Sequence, residues 1–271
     1  MSTASFFKNK SVLITGASSG IGEELAIQSA AMGAKLTLAA RRREALESLA
    51  DKIAAAGHGK PVVAECDVAR DGDLERAVAA AVRQWGKLDV AIANAGFGVG
   101  GPLKRLSVDD YKRQFETNVY GVLRTIFAAL PEVEKARGNL AIVGSVAGWV
   151  ASSGNSPYSM SKFALRALAN SITPELRRAG VKVTLISPGF VVSNIRRVDN
   201  YGKFHSESQD SVPAWVTMST EKCARQALAA IARGKHEKII TFHGKVLVGM
   251  ARFAPWILRE LTKRFSRSSQ Q

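Results

Sequence analysis

Seven short apolar runs recur along this chain, with helical stretches between them. The runs are SVLITG (11–16), KLTLAA (35–40), PVVAEC (61–66), LDVAIAN (88–94), NLAIVGS (139–145), VKVTLIS (181–187) and EKIITF (237–242). Each is continuous rather than alternating, the pattern of a strand covered on both faces, as in a parallel sheet. Helical patterns lie between them, among them EELAIQSAAM, EALESLADKIAAA, DLERAVAAAVRQW, YKRQFETNVYGVLRTIFAALPEVEKA and PYSMSKFALRALANSITPELRRA. Strand and helix in repeated succession predict a doubly wound α/β sheet, seven-stranded and mostly parallel, with right-handed crossovers. No Pro/Gly-rich linker and no fixed-period repeat breaks the pattern, so a single domain is expected over residues 1–243. Its least regular piece, 190–218, reads as a substrate loop. A basic, amphipathic extension follows at 244–271.

Composition removes several function classes. At 271 residues, 46% hydrophobic and 23% charged, the chain has material for a buried core. Cys66 and Cys223 stand far apart, with neither disulfide-scaffold nor metal-ligand spacing, and fit a reducing compartment. His58, His205, His236 and His243 also lack ligand spacing, so no metal site is expected. The first ten residues, MSTASFFKNK, lack the apolar core of a secretory signal. No apolar run approaches the ~18 residues of a spanning helix. A cytoplasmic protein is expected, with attachment to a membrane surface left open. The formal net charge of +15 admits nucleic acid, an anionic membrane or an anionic cofactor as partner. The basic residues are scattered and no nucleic-acid-binding motif accompanies them, so nucleic acid is not expected.

In an open α/β sheet, ligands bind beyond the carboxyl ends of the strands. The first strand runs into TGASSGIGEELA (15–26). Gly16, Gly20 and Gly22 allow a tight turn and close approach of phosphates, while Ser18, Ser19 and Ile21 complete the turn. The following helix offers free N–H groups to a pyrophosphate. The spacing G-x-x-x-G-x-G differs from the commoner dinucleotide fingerprint, and a purely structural turn is the alternative. At the end of the second strand, where an NAD site usually carries a carboxylate, stand Ala40, Arg41 and Arg42. A guanidinium there would bind a 2′-phosphate that a carboxylate would repel, so NADP(H) is the expected cofactor and NAD(H) the alternative. Tyr158 and Lys162, four residues apart, share one helix face. An ammonium beside a phenol favours the phenolate and suits acid–base chemistry.

The chain strongly resembles the short-chain dehydrogenase/reductase family over about residues 8–242. The resemblance rests on TGASSGIG (15–22), Asp67-Val68, Asn94-Ala95-Gly96, Asn118, Ser145, Tyr158-x-x-x-Lys162 and Pro188-Gly189, in family order. It implies a Rossmann-like sheet and an oxidoreductase that interconverts a carbonyl and an alcohol. It implies that Asp67, with Val68, meets the adenine and that Asn94, Ala95 and Gly96 lie along the cofactor's ribose. Pro188 and Gly189 would flank the nicotinamide, and Ser193 stands where the family usually has Thr. Asn118, Ser145, Tyr158 and Lys162 resemble the catalytic set. In it Ser145 holds the substrate oxygen, Tyr158 supplies its proton, Lys162 grips the ribose and favours the phenolate, and Asn118 holds a relay water. Family members often pair through helices matching residues 107–130 and 157–178, which implies a homo-dimer or homo-tetramer.

The substrate end is less legible. Phe97, Gly98, Gly100, Gly101, Trp149, Val150, Phe190 and Val191 are candidates for an apolar carbonyl pocket, against ordinary packing. An apolar pocket suggests a lipid-like or steroid-like substrate. Arg196 and Arg197 face the choice of an anionic substrate group or plain solvated surface. Residues 244–267 mix large apolar side chains with Arg252, Arg259, Lys263, Arg264 and Arg267. That mixture suits peripheral contact with an anionic membrane, packing on the body, or a partner subunit.

Overall fold

The computed structural model describes residues 2–192, 199–201, 216–257 and 260. Ser193, Arg196 and Arg197 lie outside the described residues. The strands are β1 (Ser11–Thr15), β2 (Lys35–Ala40), β3 (Val62–Glu65), β4 (Val90–Ala93), β5 (Asn139–Val143), β6 (Lys182–Ser187) and β7 (Glu237–Ile239). They form one seven-stranded sheet in the order β3-β2-β1-β4-β5-β6-β7, and every pairing is parallel. The continuous apolar runs have the reason expected of them: β1, β4 and β5 are buried along their whole length.

The helices are α1 (Thr3–Phe7), α2 (Gly20–Ala31), α3 (Arg43–Ala55), α4 (Asp73–Trp85), α5 (Val108–Phe115), α6 (Gly121–Lys135), α7 (Ser156–Arg178), α8 (Thr220–Ala232) and α9 (Phe242–Phe253). One apolar core gathers Phe7, Leu25, Leu46, Leu49 and Leu228 from α1, α2, α3 and α8. The other gathers Leu74, Val78, Val122, Ile126 and Leu165 from α4, α6 and α7. Each face of the sheet is thus covered, the condition for an all-parallel sheet.

Two local features differ from the sequence reading. The long helix read over 111–136 is three pieces: α5, a single π-helical turn over Glu116–Tyr120, and α6. The π turn carries the buried Asn118. Gly121, at the start of α6, packs so tightly that an added Cβ would meet Val68 Cγ2 at 2.6 Å. The last strand also ends sooner than read. The strand stops at Ile239 although Ile240 is also apolar and buried, Thr241 caps α9 by accepting from the Gly244 N–H, and Phe242 begins that helix, 80% exposed.

Candidate active site

The strand order reverses between β1 and β4, and there the carboxyl ends of neighbouring strands open a crevice. Thr15 and Asn94 tie its floor. Thr15 Oγ1 accepts from the Asn94 N–H at 3.0 Å and the Ala95 N–H at 3.1 Å. Asn94 Nδ2 donates to the carbonyls of Thr15 at 2.9 Å and Gly16 at 3.2 Å. Gly16 has φ +65°, and a Cβ there would stand 2.8 Å from the Ala95 Cα. A Cβ on Gly22 would overlap the Gly16 carbonyl oxygen and meet Asn94 Nδ2 at 2.5 Å. Close approach of neighbouring atoms requires glycine at both positions, and at Gly16 the left-handed turn requires it as well.

From this floor a cleft of about 1060 Å³ runs across the sheet ends. That exceeds the ~300–1,000 Å³ of a pocket for one small ligand and leaves room for a dinucleotide and a substrate together. One end is lined by Gly16, Ser18, Ser19, Gly20, Ile21, Gly22, Arg41, Arg42, Asp67 and Val68, and the middle by Asn94, Ala95 and Gly96. Ser145, Tyr158, Lys162, Pro188 and Gly189 line the other part. Every expected cofactor residue within the described residues therefore meets one cavity.

The polar groups of the cofactor end are already positioned. Arg42 reaches back over the glycine turn, donating to the Ser18 carbonyl at 3.0 Å and to Ser18 Oγ at 3.1 Å. Asp67 Oδ1 accepts from the Ala69 N–H at 3.0 Å, so it closes its own turn. The α4 N-cap is Gly72 instead, with φ +84°. The Asp67 N–H is held by Asp73 Oδ2 at 2.8 Å. Cys66 also lines the cleft, but burial pushes its thiol up to about 12, which excludes a ready thiolate nucleophile.

At the catalytic end, Ser145 follows β5, and its Oγ accepts from the Ala147 N–H at 3.1 Å. Tyr158 and Lys162 are on α7, whose second residue is Pro157, a residue suited to the first helical turn. Lys162 is 6% exposed. Its Nζ donates to the Val143 carbonyl at 2.9 Å and lies 5.6 Å from the Tyr158 ring centroid. Burial lowers its pKa to about 8, because an ammonium removed from water is disfavoured. Asn118 lies behind the cleft wall, with Oδ1 accepting from the Phe97 N–H at 3.1 Å. Its Nδ2 donates to the Phe97 carbonyl at 3.0 Å and to Ser161 Oγ at 3.2 Å. Its amide satisfies the loop after β4 and grips α7.

Of the candidates for an apolar pocket, all but Gly101 and Trp149 line the cleft: Phe97, Gly98, Gly100, Val150, Phe190 and Val191. Trp149 is 8% exposed, packs with Val146 and Val248, and donates from Nε1 to Glu237 at 2.8 Å. The guanidiniums of Arg166 and Arg252 lie 3.2 and 4.2 Å from its ring centroid. It clamps α9 to α7 instead of facing substrate.

His243, Leu247 and Asn200 also line the cleft, though no motif or spacing places them there. His243 Nε2 accepts from the Phe190 N–H at 3.1 Å and also lies 3.1 Å from Thr241 Oγ1. Its ring stacks on Phe190 at 5.4 Å, and burial lowers its pKa, favouring the neutral acceptor. Asn200 pairs with both backbone groups of Gly100, at 3.0 and 2.9 Å. Spacing could not reveal these contacts, since they join residues 53 and 100 positions apart.

The family profile described as short chain dehydrogenase matches residues 10–202. The chain belongs to the short-chain dehydrogenase/reductase family. It is an oxidoreductase of the dehydrogenase/reductase type on a nucleotide-binding, Rossmann-like sheet. An uncharacterized oxidoreductase from Myxococcus xanthus is 40% identical over 206 residues, 75% of this chain and 81% of that protein. An 11-beta-hydroxysteroid dehydrogenase from Pinus massoniana is 30% identical over 84% of this chain and 66% of its own length. A short-chain dehydrogenase/reductase from Burkholderia phymatum, solved with NAD, superposes with TM-score 0.81 at 25% identity, covering 94% of this chain and 96% of that one. An alcohol dehydrogenase from Thermococcus sibiricus, solved with 5-hydroxy-NADP, gives TM-score 0.73 at 25% identity, covering 85% and 95%. One of these two neighbours thus holds NAD and the other an NADP analogue. Among the described residues of this short-chain dehydrogenase/reductase no helix is long and apolar enough to cross a membrane.

Proposed function

We propose that this protein is an NADPH-dependent carbonyl reductase acting on an apolar ketone or aldehyde, lipid-like or steroid-like in kind. The observation that carries the reading is the single cleft with two chemically distinct ends. One end presents Arg41 and Arg42 beside a glycine cradle that side chains would fill. The other presents Ser145, Tyr158 and Lys162 among Phe97, Val150, Phe190 and Leu247. Bound there, NADPH would supply the hydride. Ser145 would orient the carbonyl oxygen by donating a hydrogen bond. Tyr158 would give that oxygen its proton, and the Lys162 ammonium would stabilise the phenolate left behind. Asn118 would keep Phe97 and α7 in register.

Cofactor choice follows from charge. The last β2 residue is Ala40, and the two residues after it are exposed arginines. Arg42 already leans over the turn at Ser18, where a 2′-phosphate would exchange a neutral partner for a charged one. The apolar lining favours a lipid-like or steroid-like substrate, and the hydroxysteroid dehydrogenase relative makes ketosteroids the first compounds to try. A homo-oligomer built through α6 and α7 belongs to the same reading, supported by exposed Phe127, Met160 and Phe163 on those helices.

The test is NADPH oxidation against a panel of ketosteroids, 3-keto lipids and small aldehydes, repeated with NADH. The reading expects turnover on at least one bulky apolar carbonyl, with NADPH preferred. Binding of NADPH without turnover on any carbonyl would instead describe a dinucleotide sensor and would refute it.

A further inference from the structure

Helix α9 has two unlike faces. Gly244 and Val248 are buried against the body, and Leu247 joins Val248 in packing on Val146 and Trp149. On the other side, Phe242 is 80% exposed, Val246 46% and Phe253 81%. At ~100° per residue these three fall within about 40° of one another, opposite the docked face. Trp256 and Ile257 follow, 67% and 43% exposed. Five large apolar side chains within sixteen residues form a contiguous patch of the kind that marks an interaction surface.

The charge near the patch is predominantly positive. Lys245 lies beside the apolar stripe on α9, and Arg252, on the same side, is drawn toward Trp149 and Glu237. Burial lowers the pKa of the Lys238 ammonium, and repulsion from Lys245, Lys235 and Arg233 lowers it further, as expected where cations gather. Between residues 233 and 267 the sequence carries nine Lys or Arg against two Glu. One of those, Glu237, is taken by Trp149 and Arg252.

We propose that this outer face of α9, with Trp256 and Ile257, seats on the surface of an anionic lipid bilayer. Aromatic and aliphatic side chains enter the interface while the flanking cations meet lipid headgroups. A second copy of the chain fits poorly. A two-fold contact would set this cationic cluster against itself, in a protein of net charge +15. Seating would bring the cleft close to the bilayer, because His243 and Leu247 of the same helix line its substrate end. An apolar substrate dissolved in lipid would then have a short path to Tyr158.

Flotation of the full-length protein tests the proposal without any reliance on turnover, so its failure leaves the reductase reading standing. The probes are phosphatidylcholine vesicles alone and vesicles carrying about 30% phosphatidylglycerol. The protein should float with the anionic vesicles, less so at high salt, and stay behind with the neutral ones. The triple variant Phe242→Ser, Val246→Ser, Phe253→Ser should lose partitioning by at least about tenfold while keeping its turnover of a small water-soluble carbonyl. Three results would overturn the proposal. The wild-type protein fails to float with any vesicle; the variant floats as well as wild type; or light scattering shows the variant monomeric where a non-floating wild type is dimeric.

Discussion

The cofactor end and the substrate end of one cleft are built by different means. At the cofactor end, backbone meets backbone: Gly16, Gly22 and the Thr15–Asn94 hydrogen bonds leave no room for a side chain, and the spacing of glycines is dictated by contact. At the substrate end, Phe97, Val150, Phe190 and Leu247 come from four separate segments, and another apolar side chain could take the place of any one of them. The first kind of construction writes a pattern into the chain. The second writes only an average hydrophobicity, which many packed cores share.

Perturbing the rigid end should do the most damage. Gly22→Ala forces its methyl into the Gly16 carbonyl and the Asn94 amide. The resulting shift in the turn should lower kcat/KM with NADPH by about a hundredfold. It should also cost about 1–3 kcal/mol of stability by thermal melting. Arg42→Ala removes a charged donor without crowding. It should raise KM for NADPH about tenfold and leave KM for NADH nearly unchanged, so equal effects on both would remove the 2′-phosphate assignment.

A pH profile probes the junction of the two ends. With its pKa lowered to about 8 by burial, Lys162 is cationic below that pH and neutral above it. Support for the Tyr158 phenolate is therefore present below pH 8 and lost above it. The kcat/KM for reduction should hold level up to about pH 8 and then fall by about tenfold per unit. A profile flat to pH 10 would show that the charge on Lys162 does not matter.

The smallest effect is expected at the substrate end. His243→Phe keeps a ring against Phe190 but removes the acceptor of its N–H. KM for the carbonyl should rise about two- to fivefold, and His243→Gln, which restores an acceptor, should recover most of it.

The difference between the ends also explains what could be read in advance. Continuous apolar runs marked all seven strands; in β1, β4 and β5 burial on both faces leaves no alternation to mask them, while β3 and β7 at the sheet edges are only partly buried. The glycine turn and Asn94 could be read because close approach permits few other residues there, and Tyr158 and Lys162 because their four-residue spacing places them on one helix face. Between pocket and packing, Trp149 takes packing: Arg166, Arg252 and Glu237 hold it against α9, and none of these is near it in sequence. Phe242 was misread as the end of β7, since an exposed aromatic after an apolar run looks like strand until Thr241 caps a helix there. His243 was seen as one of four unrelated histidines. Its role depends on the chain returning past Phe190 after 53 residues, and local pattern holds no trace of that.

The most direct measurement is the single-turnover rate of Tyr158→Phe with NADPH and the best carbonyl substrate, alongside NADPH binding followed by fluorescence. The account predicts binding close to wild type and a rate reduced by at least about a hundredfold. A variant that binds NADPH and still reduces the carbonyl at the wild-type rate would contradict it, because the proton would then come from another group.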